Sequence, residues 1–259
     1  MYTIKEYHLR MNYQPYPEHY WTQIEKNLNE LKTSQQKLVA AFDADGTLWD
    51  ADLGENFFQY QIDHKLVELP PNAFDFYLNM KEKNGDPREA FLWLAQINKN
   101  QRIEKVREWA KLAYESIQPN PIFQDQKKLV QLLMNHGVEV YIVTASIKWA
   151  VEPGALALGV SINNVIGVQT EIQDGIITDQ GIFPITYRPG KVEALLQRTK
   201  GVAPFLSSGN SMGDFELLNA ATHTRIAVSA ASRDDHMYKT ESELLTHAKN
   251  NNWLGHRFI

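Results

Sequence analysis

Two aspartates two residues apart, Asp43 and Asp45, carry the most chemistry in this chain, inside the segment Phe42-Asp43-Ala44-Asp45-Gly46-Thr47-Leu48-Trp49. The apolar run Leu38-Val39-Ala40-Ala41-Phe42 leads into them as a buried strand, and Gly46 and Thr47 then turn the chain away. In an open parallel sheet, ligands bind at the carboxyl ends of strands. Uncompensated negative charge is costly there, and a hard cation such as Mg2+ takes oxygen ligands, few of them from protein. The segment therefore predicts a nucleophilic carboxylate beside a divalent metal, a chemistry suited to attack on phosphorus. A calcium loop, D-x-[DN]-x-[DN]-G with a late Glu, is excluded. Counted from Asp43, its glycine position holds Leu48 and its glutamate position Gly54.

Three later segments also join strand ends to helix starts. Tyr141-Ile142-Val143-Thr144-Ala145-Ser146 puts a hydroxyl, Thr144, at a strand end just before a predicted helix, and backbone N–H groups at helix N-termini favour phosphate. Taken alone, Thr144 and Ser146 read as helix caps. Arg188-Pro189-Gly190-Lys191 opens another helix with Lys191 in its first turn, against the helix dipole. A solvated surface position is the simpler account of a lone lysine, whereas a bound phosphate would relieve the opposition. Ser208-Gly209-Asn210-Ser211-Met212-Gly213-Asp214 supplies an amide oxygen and a carboxylate four residues apart in a small-residue turn. It is also a formal G-x-S-x-G match, the nucleophile-elbow signature of serine hydrolases. Asp234 with His236 or His247 would then complete a triad around Ser211. Against this, no His-Gly-Gly loop lies upstream, little chain remains for further strands, and Asp43 and Asp45 are left unexplained.

The elements that must position these residues alternate. A helix is predicted over Pro17 to Leu31, with Tyr20, Trp21, Ile24 and Leu28 on its apolar face. After the first strand, Asp50 to Pro121 reads as helical throughout, broken at Asn84-Gly85-Asp86-Pro87. Next come a helix over Asp125 to His136 capped by Gly137, a strand over Val138 to Val143, and a helix over Ile147 to Leu158 that Glu152-Pro153-Gly154 should interrupt or bend. A hairpin around Asp174-Gly175 follows. Then helix Val192 to Gln197, strand Ala203 to Ser207, helix Phe215 to Ala221 and strand Arg225 to Val228 alternate. The tail from Ser232 is polar, and helix-prone at Glu241 to Asn250. This order predicts an α/β protein with a doubly wound parallel sheet. Residues 1–49 and 122–259 would form its core, and 50–121 an inserted all-helical lid. The 259 residues carry a formal net charge of -5, are 43% hydrophobic and include no cysteine, which excludes disulfides and thiolate chemistry and leaves no basic footprint for nucleic acid. No signal-peptide core and no bilayer-length apolar stretch is present, so the expectation is a cytoplasmic protein with no nucleic-acid or membrane partner.

Together and in this order, the four segments resemble the haloacid dehalogenase-like phosphohydrolase superfamily. Its strand-end D-x-D-x-T is matched by Asp43, Asp45 and Thr47, its strand-end Ser or Thr by Thr144, its lysine by Lys191, and its acidic loop by Gly209, Asn210 and Asp214. The insert corresponds to that family's C1 cap, and the hairpin looks most like the phosphoserine phosphatase branch. The resemblance implies an Mg2+-dependent phosphatase acting on a small phosphomonoester. Asp43 would be the nucleophile, forming an aspartyl-phosphate, and Asp45 the general acid and base. Thr144, the Ala145 backbone and Lys191 would hold phosphate, and Asp43, Asp45 (through its carbonyl), Asn210 and Asp214 would surround the metal. Asn210 departs from the family pattern, which often has aspartate there, and this leaves open whether Asn210 or Asp214 is the inner ligand. Asp45 disfavours dehalogenase activity, because dehalogenases usually lack that second acid. Asp52, Glu55 and the aromatic Trp49 are the specificity candidates, and they suit an amine-bearing substrate such as phosphoserine, phosphoethanolamine or phosphocholine. A serine hydrolase built on Ser211 and a non-catalytic phosphate-binding domain are the alternatives.

Overall fold

Val39-Ala40-Ala41-Phe42 is completely buried, and its two faces feed different layers. Ala40 and Phe42 pack with Ile24, Leu28, Leu129, Val130 and Leu133, whereas Val39 and Ala41 pack with Tyr141, Val143, Leu195 and Leu217. A strand covered on both faces has to be apolar at every position. The small Ala40 and Ala41 let helices approach from either side. In the computed structural model, which describes residues 13–32 and 37–259, this strand is β1 (Val39–Phe42). Residues 1–12 and 33–36, assigned by the sequence reading to the core unit 1–49, lie outside the described residues.

The helix α1 (Glu18–Lys32) buries Tyr20, Trp21, Ile24 and Leu28, as its periodicity requires. After β1 come α2 (Leu53–Asp63), α3 (Ala73–Glu82), α4 (Arg88–Gln96) and α5 (Ile103–Glu115), with one 3-10 turn at Lys83–Gly85 where Asn84-Gly85-Asp86-Pro87 breaks the pattern. The chain continues through α6 (Gln124–Asn135), β2 (Glu139–Ile147), α7 (Lys148–Ala157), β3 (Val165–Val168) and a hairpin of β4 (Thr170–Gln173) and β5 (Ile176–Gly181). It closes with α8 (Pro189–Thr199), β6 (Leu206–Gly209), α9 (Phe215–Asn219), β7 (Thr224–Ser229), α10 (Tyr238–Asn250) and β8 (Leu254–Arg257). The main sheet runs β3-β2-β1-β6-β7-β8 with parallel pairing throughout. The strand order reverses between β1 and β6, the place where open α/β sheets bind ligands.

The structure corrects the predicted elements at three points. β2 does not stop at Val143. It passes through a register shift and pairs Ile147 with Val168, so Thr144 and Ser146 lie on an irregular strand end rather than on a helix cap. α7 runs unbroken through Pro153, because Trp149, Val151, Glu152, Gly154 and Ala155 are all buried and their packing outweighs the roughly 3 kcal/mol cost of an interior proline. The tail adds a strand, β8, beyond its helix. Leu254-Gly255-His256-Arg257 has one strongly apolar side chain in four, too weak an alternation to read. The hairpin turns at Asp174 and Gly175 with φ of 50° and 79°, the left-handed pair that an Asp-Gly two-residue loop accommodates.

The helices α2 to α5 build a second core. Phe57, Phe58, Tyr77, Leu94, Val106 and Trp109 pack there with Ile147, Trp149, Ala150, Val168, Ile177 and Ile185 from outside the insert. The inserted helices are thus seated on α7 and on the hairpin, above the carboxyl end of the sheet.

Candidate active site

Asp43 leaves β1 at the point where the strand order reverses. Its backbone N–H donates to the Ser208 carbonyl of β6 (2.9 Å), which ties it to the neighbouring strand. Asp43 is 6% exposed. Oδ2 accepts from Thr47 Oγ1 (2.9 Å) and Oδ1 from Lys191 Nζ (2.5 Å). Lys191 also donates to Asp214 Oδ1 (2.5 Å), so one buried ammonium bridges two buried carboxylates. The lysine in the first turn of α8 is therefore not a solvated surface group. Its unfavourable placement against the helix dipole is offset by the two acids. Burial and the charge of Asp214 push the Asp43 carboxyl up to about 7, outweighing the pull of Lys191. The two acids hold the Lys191 ammonium well above the usual lysine range despite its burial.

Asp45 is held by three donors: Trp49 Nε1 (2.8 Å) and the Leu53 N–H (2.9 Å) on Oδ1, and Ser146 Oγ (2.6 Å) on Oδ2. Burial raises its pKa, while these bonds, led by that of Ser146, act in the opposite direction. Among the three donors only the Ser146 hydroxyl can reverse its role and accept, so a proton on Oδ2 finds a partner there. Thr144 Oγ1 accepts from the Ser146 N–H (3.0 Å), which fixes the bend of the strand end. Thr144, Ala145 and Ser146 line one cavity of about 510 Å³ with Asp43, Asp45, Lys191, Asn210 and Asp214.

The loop after β6 is organised by Asp214. Its Oδ2 accepts from the N–H groups of Asn210 (3.2 Å) and Ser211 (3.0 Å) and from Ser211 Oγ (3.1 Å). Ser211 and Asp214 form a reciprocal capping box, so the serine of the G-x-S-x-G match serves as a helix cap. Asn210 Oδ1 lies 3.3 Å from Thr47 Oγ1, the same hydroxyl that meets Asp43 Oδ2. Gly46, at φ 73°, makes room for it, since a Cβ there would stand 2.1 Å from Asn210 Nδ2. Asp43 Oδ2 and Asn210 Oδ1 therefore converge, two hard oxygens of the kind that suit Mg2+. Asp214 has Lys191 on one oxygen and three donors on the other. Among the described residues, no group of three or more His, Cys, Asp or Glu is placed to hold a metal, so a cation here would rest partly on the amide.

Glu241 was not a candidate from the sequence, since it sits in a polar tail helix without a motif. It is 2% exposed. Its Oε2 accepts from Ser229 Oγ (2.7 Å) and the N–H groups of Ala230 (3.1 Å) and Ala231 (2.9 Å), and its Oε1 from Asn210 Nδ2 (2.9 Å). Burial raises its pKa against those four hydrogen bonds.

The specificity candidates divide. Asp52 and Glu55 line the cavity, but Trp49 is fully buried, turned into the core beneath Gly154 and joined to Asp45 through its indole N–H. The aromatic rings at the cavity are Tyr77, Phe91, Tyr187 and His236. Asp52 caps α2 by accepting from the Glu55 N–H (2.7 Å), and burial raises its carboxyl well above the usual range, with Glu55 and Asp45 adding to the effect. Glu55 Oε1 already accepts from Lys81 Nζ (2.7 Å) and from the Tyr77 hydroxyl (3.3 Å), and Lys81 lies near the Tyr77 and Phe91 rings (5.5 and 5.9 Å to their centroids). Glu55, an acid expected to meet a substrate amine, thus holds a cation of the protein itself, beside two rings that the sequence did not single out.

The sequence profile of the haloacid dehalogenase-like hydrolases matches residues 40–219. No curated protein matches in sequence. Among solved structures, a protein of unknown function from Bordetella pertussis Tohama I superposes with a TM-score of 0.72 at 18% identity, over 87% of this chain and 100% of that one. A conserved, functionally unknown protein from Anaerococcus prevotii DSM 20548 gives 0.69 at 17% identity, over 96% and 93%. A phosphoserine phosphohydrolase-like protein from Francisella tularensis subsp. tularensis SCHU S4 gives 0.49 at 20% identity, over 74% and 87%. For the first two, at these identities, the likeness is one of fold.

Proposed function

From the premise that the chain belongs to the haloacid dehalogenase-like hydrolases, we propose that it is an Mg2+-dependent phosphatase of small phosphomonoesters that works through an aspartyl-phosphate. The observation that carries this reading is the arrangement of Asp43 and Asp45 on one cavity, the first bridged to Lys191 and the second held by Ser146, Trp49 and Leu53.

Asp43 attacks phosphorus, its P–O bond forming as the ester P–O bond breaks, and Asp45 delivers its proton to the departing alkoxide. Asp45 then removes a proton from the water that hydrolyses the acyl phosphate, which frees Asp43 and returns the proton to Asp45. Such acid–base help contributes roughly 10²–10⁴-fold. Lys191 and the Thr144–Ser146 strand end hold the phosphoryl oxygens and offset their charge. Asp43 and Asn210 would hold Mg2+, which supplies charge stabilisation to the transferring group. Asp214 Oδ2 already accepts from three donors, where Asp43 Oδ2 accepts from one, and Asp214 Oδ1 meets Lys191, so the outer shell suits Asp214, holding Lys191. The helices of 50–121 act as a cap that sets specificity, with Asp52, Glu55 and Lys81 facing the leaving group.

Turnover of a phosphomonoester panel with Mg2+ and with EDTA tests this. The expected result is Mg2+-dependent hydrolysis that Asp43→Asn abolishes with the fold intact, and a beryllium fluoride adduct on Asp43. Full turnover by Asp43→Asn overturns the assignment. The serine hydrolase alternative expects labelling of Ser211 by a fluorophosphonate, which the capping role of that hydroxyl disfavours.

A further inference from the structure

An aspartate would bring a negative charge to the loop after β6, where this chain has Asn210. The missing charge is 2.9 Å away. Glu241 Oε1 accepts from Asn210 Nδ2, and its other oxygen accepts from Ser229, Ala230 and Ala231. The two residues are 31 positions apart, and both are nine-tenths or more buried. An ionised carboxylate can only accept, so it fixes which end of the Asn210 amide points where. Nδ2 faces Glu241, and Oδ1 is left on the side of Thr47 and Asp43. Were the amide flipped, an NH2 group would face that side, and it cannot ligate a cation.

We propose that Asn210 and Glu241 act as one unit in place of an aspartate. Asn210 supplies the oxygen, and Glu241 is a positioning residue that sets the sense of the amide and carries the negative charge one hydrogen bond further out. This rests on the Mg2+-dependent reading above. The pairing disfavours aspartate at 210, since it would set a second acceptor against Glu241 Oε1 at hydrogen-bond distance. Glutamine at 241 is disfavoured for the complementary reason. Its amide oxygen is required by three donors, Ser229 Oγ and two N–H groups, so its NH2 would face Asn210 Nδ2 head-on and drive the asparagine to flip.

The test is a cycle of Asn210→Asp, Glu241→Gln and the double variant, with Mn2+ binding to the full chain followed by the electron paramagnetic resonance of the free ion. Melting curves in EDTA monitor the fold. Loss of an outer-shell partner typically weakens metal binding roughly 10–100-fold, and each single variant is expected to show a loss in that range. In the double variant the side-chain NH2 introduced at position 241 donates to the carboxylate introduced at position 210, so binding should return to within about threefold of wild type. Additive losses in the double variant, or wild-type binding in both singles, overturn the pairing. If one single variant fails to fold, rescue is judged from the other single against the double. A wild-type protein that binds no Mn2+ overturns this proposal together with the cation reading, whereas wild-type binding with additive losses overturns this proposal alone.

Discussion

Lys191→Met is the perturbation that most directly tests the electrostatics of the site. The ammonium is 3% exposed and sits 2.5 Å from carboxylates on Asp43 and Asp214, themselves 6% and 1% exposed. Removing one partner of a buried ion pair leaves an uncompensated charge and costs about 3–5 kcal/mol. In a chain of this size each kcal/mol moves the melting temperature by roughly 2–4 °C, so the variant should melt roughly 6–20 °C lower. Calorimetry in EDTA is the assay, because no cation can then substitute for the ammonium. The loss should come from the stranded acids and not from a cavity, since methionine nearly fills the space. Adding Asp43→Asn and Asp214→Asn to Lys191→Met should therefore recover more than half of it, although turnover stays abolished. A single variant within about 1 kcal/mol of wild type, or a triple variant no more stable than the single, refutes the buried bridge.

Ser146→Ala removes a 2.6 Å hydrogen bond to Asp45. Hydrogen bonds to charged groups are worth roughly 1.5–3 kcal/mol, so kcat for alkyl phosphates should fall about 10–100-fold, and less for aryl phosphates with good leaving groups; equal losses would place Ser146 outside the proton path. Asp52 has a raised pKa, so its neutral form favours folding: its contribution is fully present below the ordinary carboxylate pKa and is lost as pH rises through the folded-state value. Asp52→Asn keeps the cap acceptor and should flatten that slope, gaining stability at pH 8 relative to pH 4; urea midpoints that fall with pH as in wild type refute the assignment. Glu55→Gln should raise KM for amine-bearing phosphates more than for neutral ones, and Lys81→Met, which frees Glu55, should do the reverse; like responses to both substrate types rule out an amine contact at Glu55.

The central strand, the parallel order and the positions of Asp43, Asp45 and Thr47 are legible in the sequence because they depend on neighbours. An apolar run followed by D-x-D-G-T specifies a strand and its carboxyl end within ten residues. Lys191 is ambiguous in sequence because its burial depends on partners 148 and 23 residues away. Trp49 looks like a rim aromatic, but the bridge-like pairing of Asp45 with Trp49 and the bond from its indole N–H turn the ring inward. Ser146 reads as a cap because nothing local shows that β2 continues to Ile147. Glu241 has no local signature at all. A glutamate in a helix with Lys239, Glu243 and Lys249 looks like a solvated charge until α10 packs on β7 and carries it beneath the loop after β6.

The buried charges give this placement its sense. Around the proposed cation position, the groups nine-tenths or more buried are the carboxyls of Asp43, Asp214 and Glu241 and one ammonium, Lys191. With the acids ionised, the shell carries two net negative charges, which one divalent cation balances. An aspartate at 210 would add a third within hydrogen-bond reach of Glu241, in surroundings where burial already raises Asp43 and Glu241. Mutual repulsion of that kind is relieved by protonating one carboxyl, and a protonated carboxyl is a poorer cation ligand. The amide at 210 avoids this. It keeps a hard oxygen beside Asp43 while the charge stays on Glu241, where four donors stabilise it. On this account α10 belongs to the catalytic architecture through Glu241, one hydrogen bond from the proposed cation ligand Asn210.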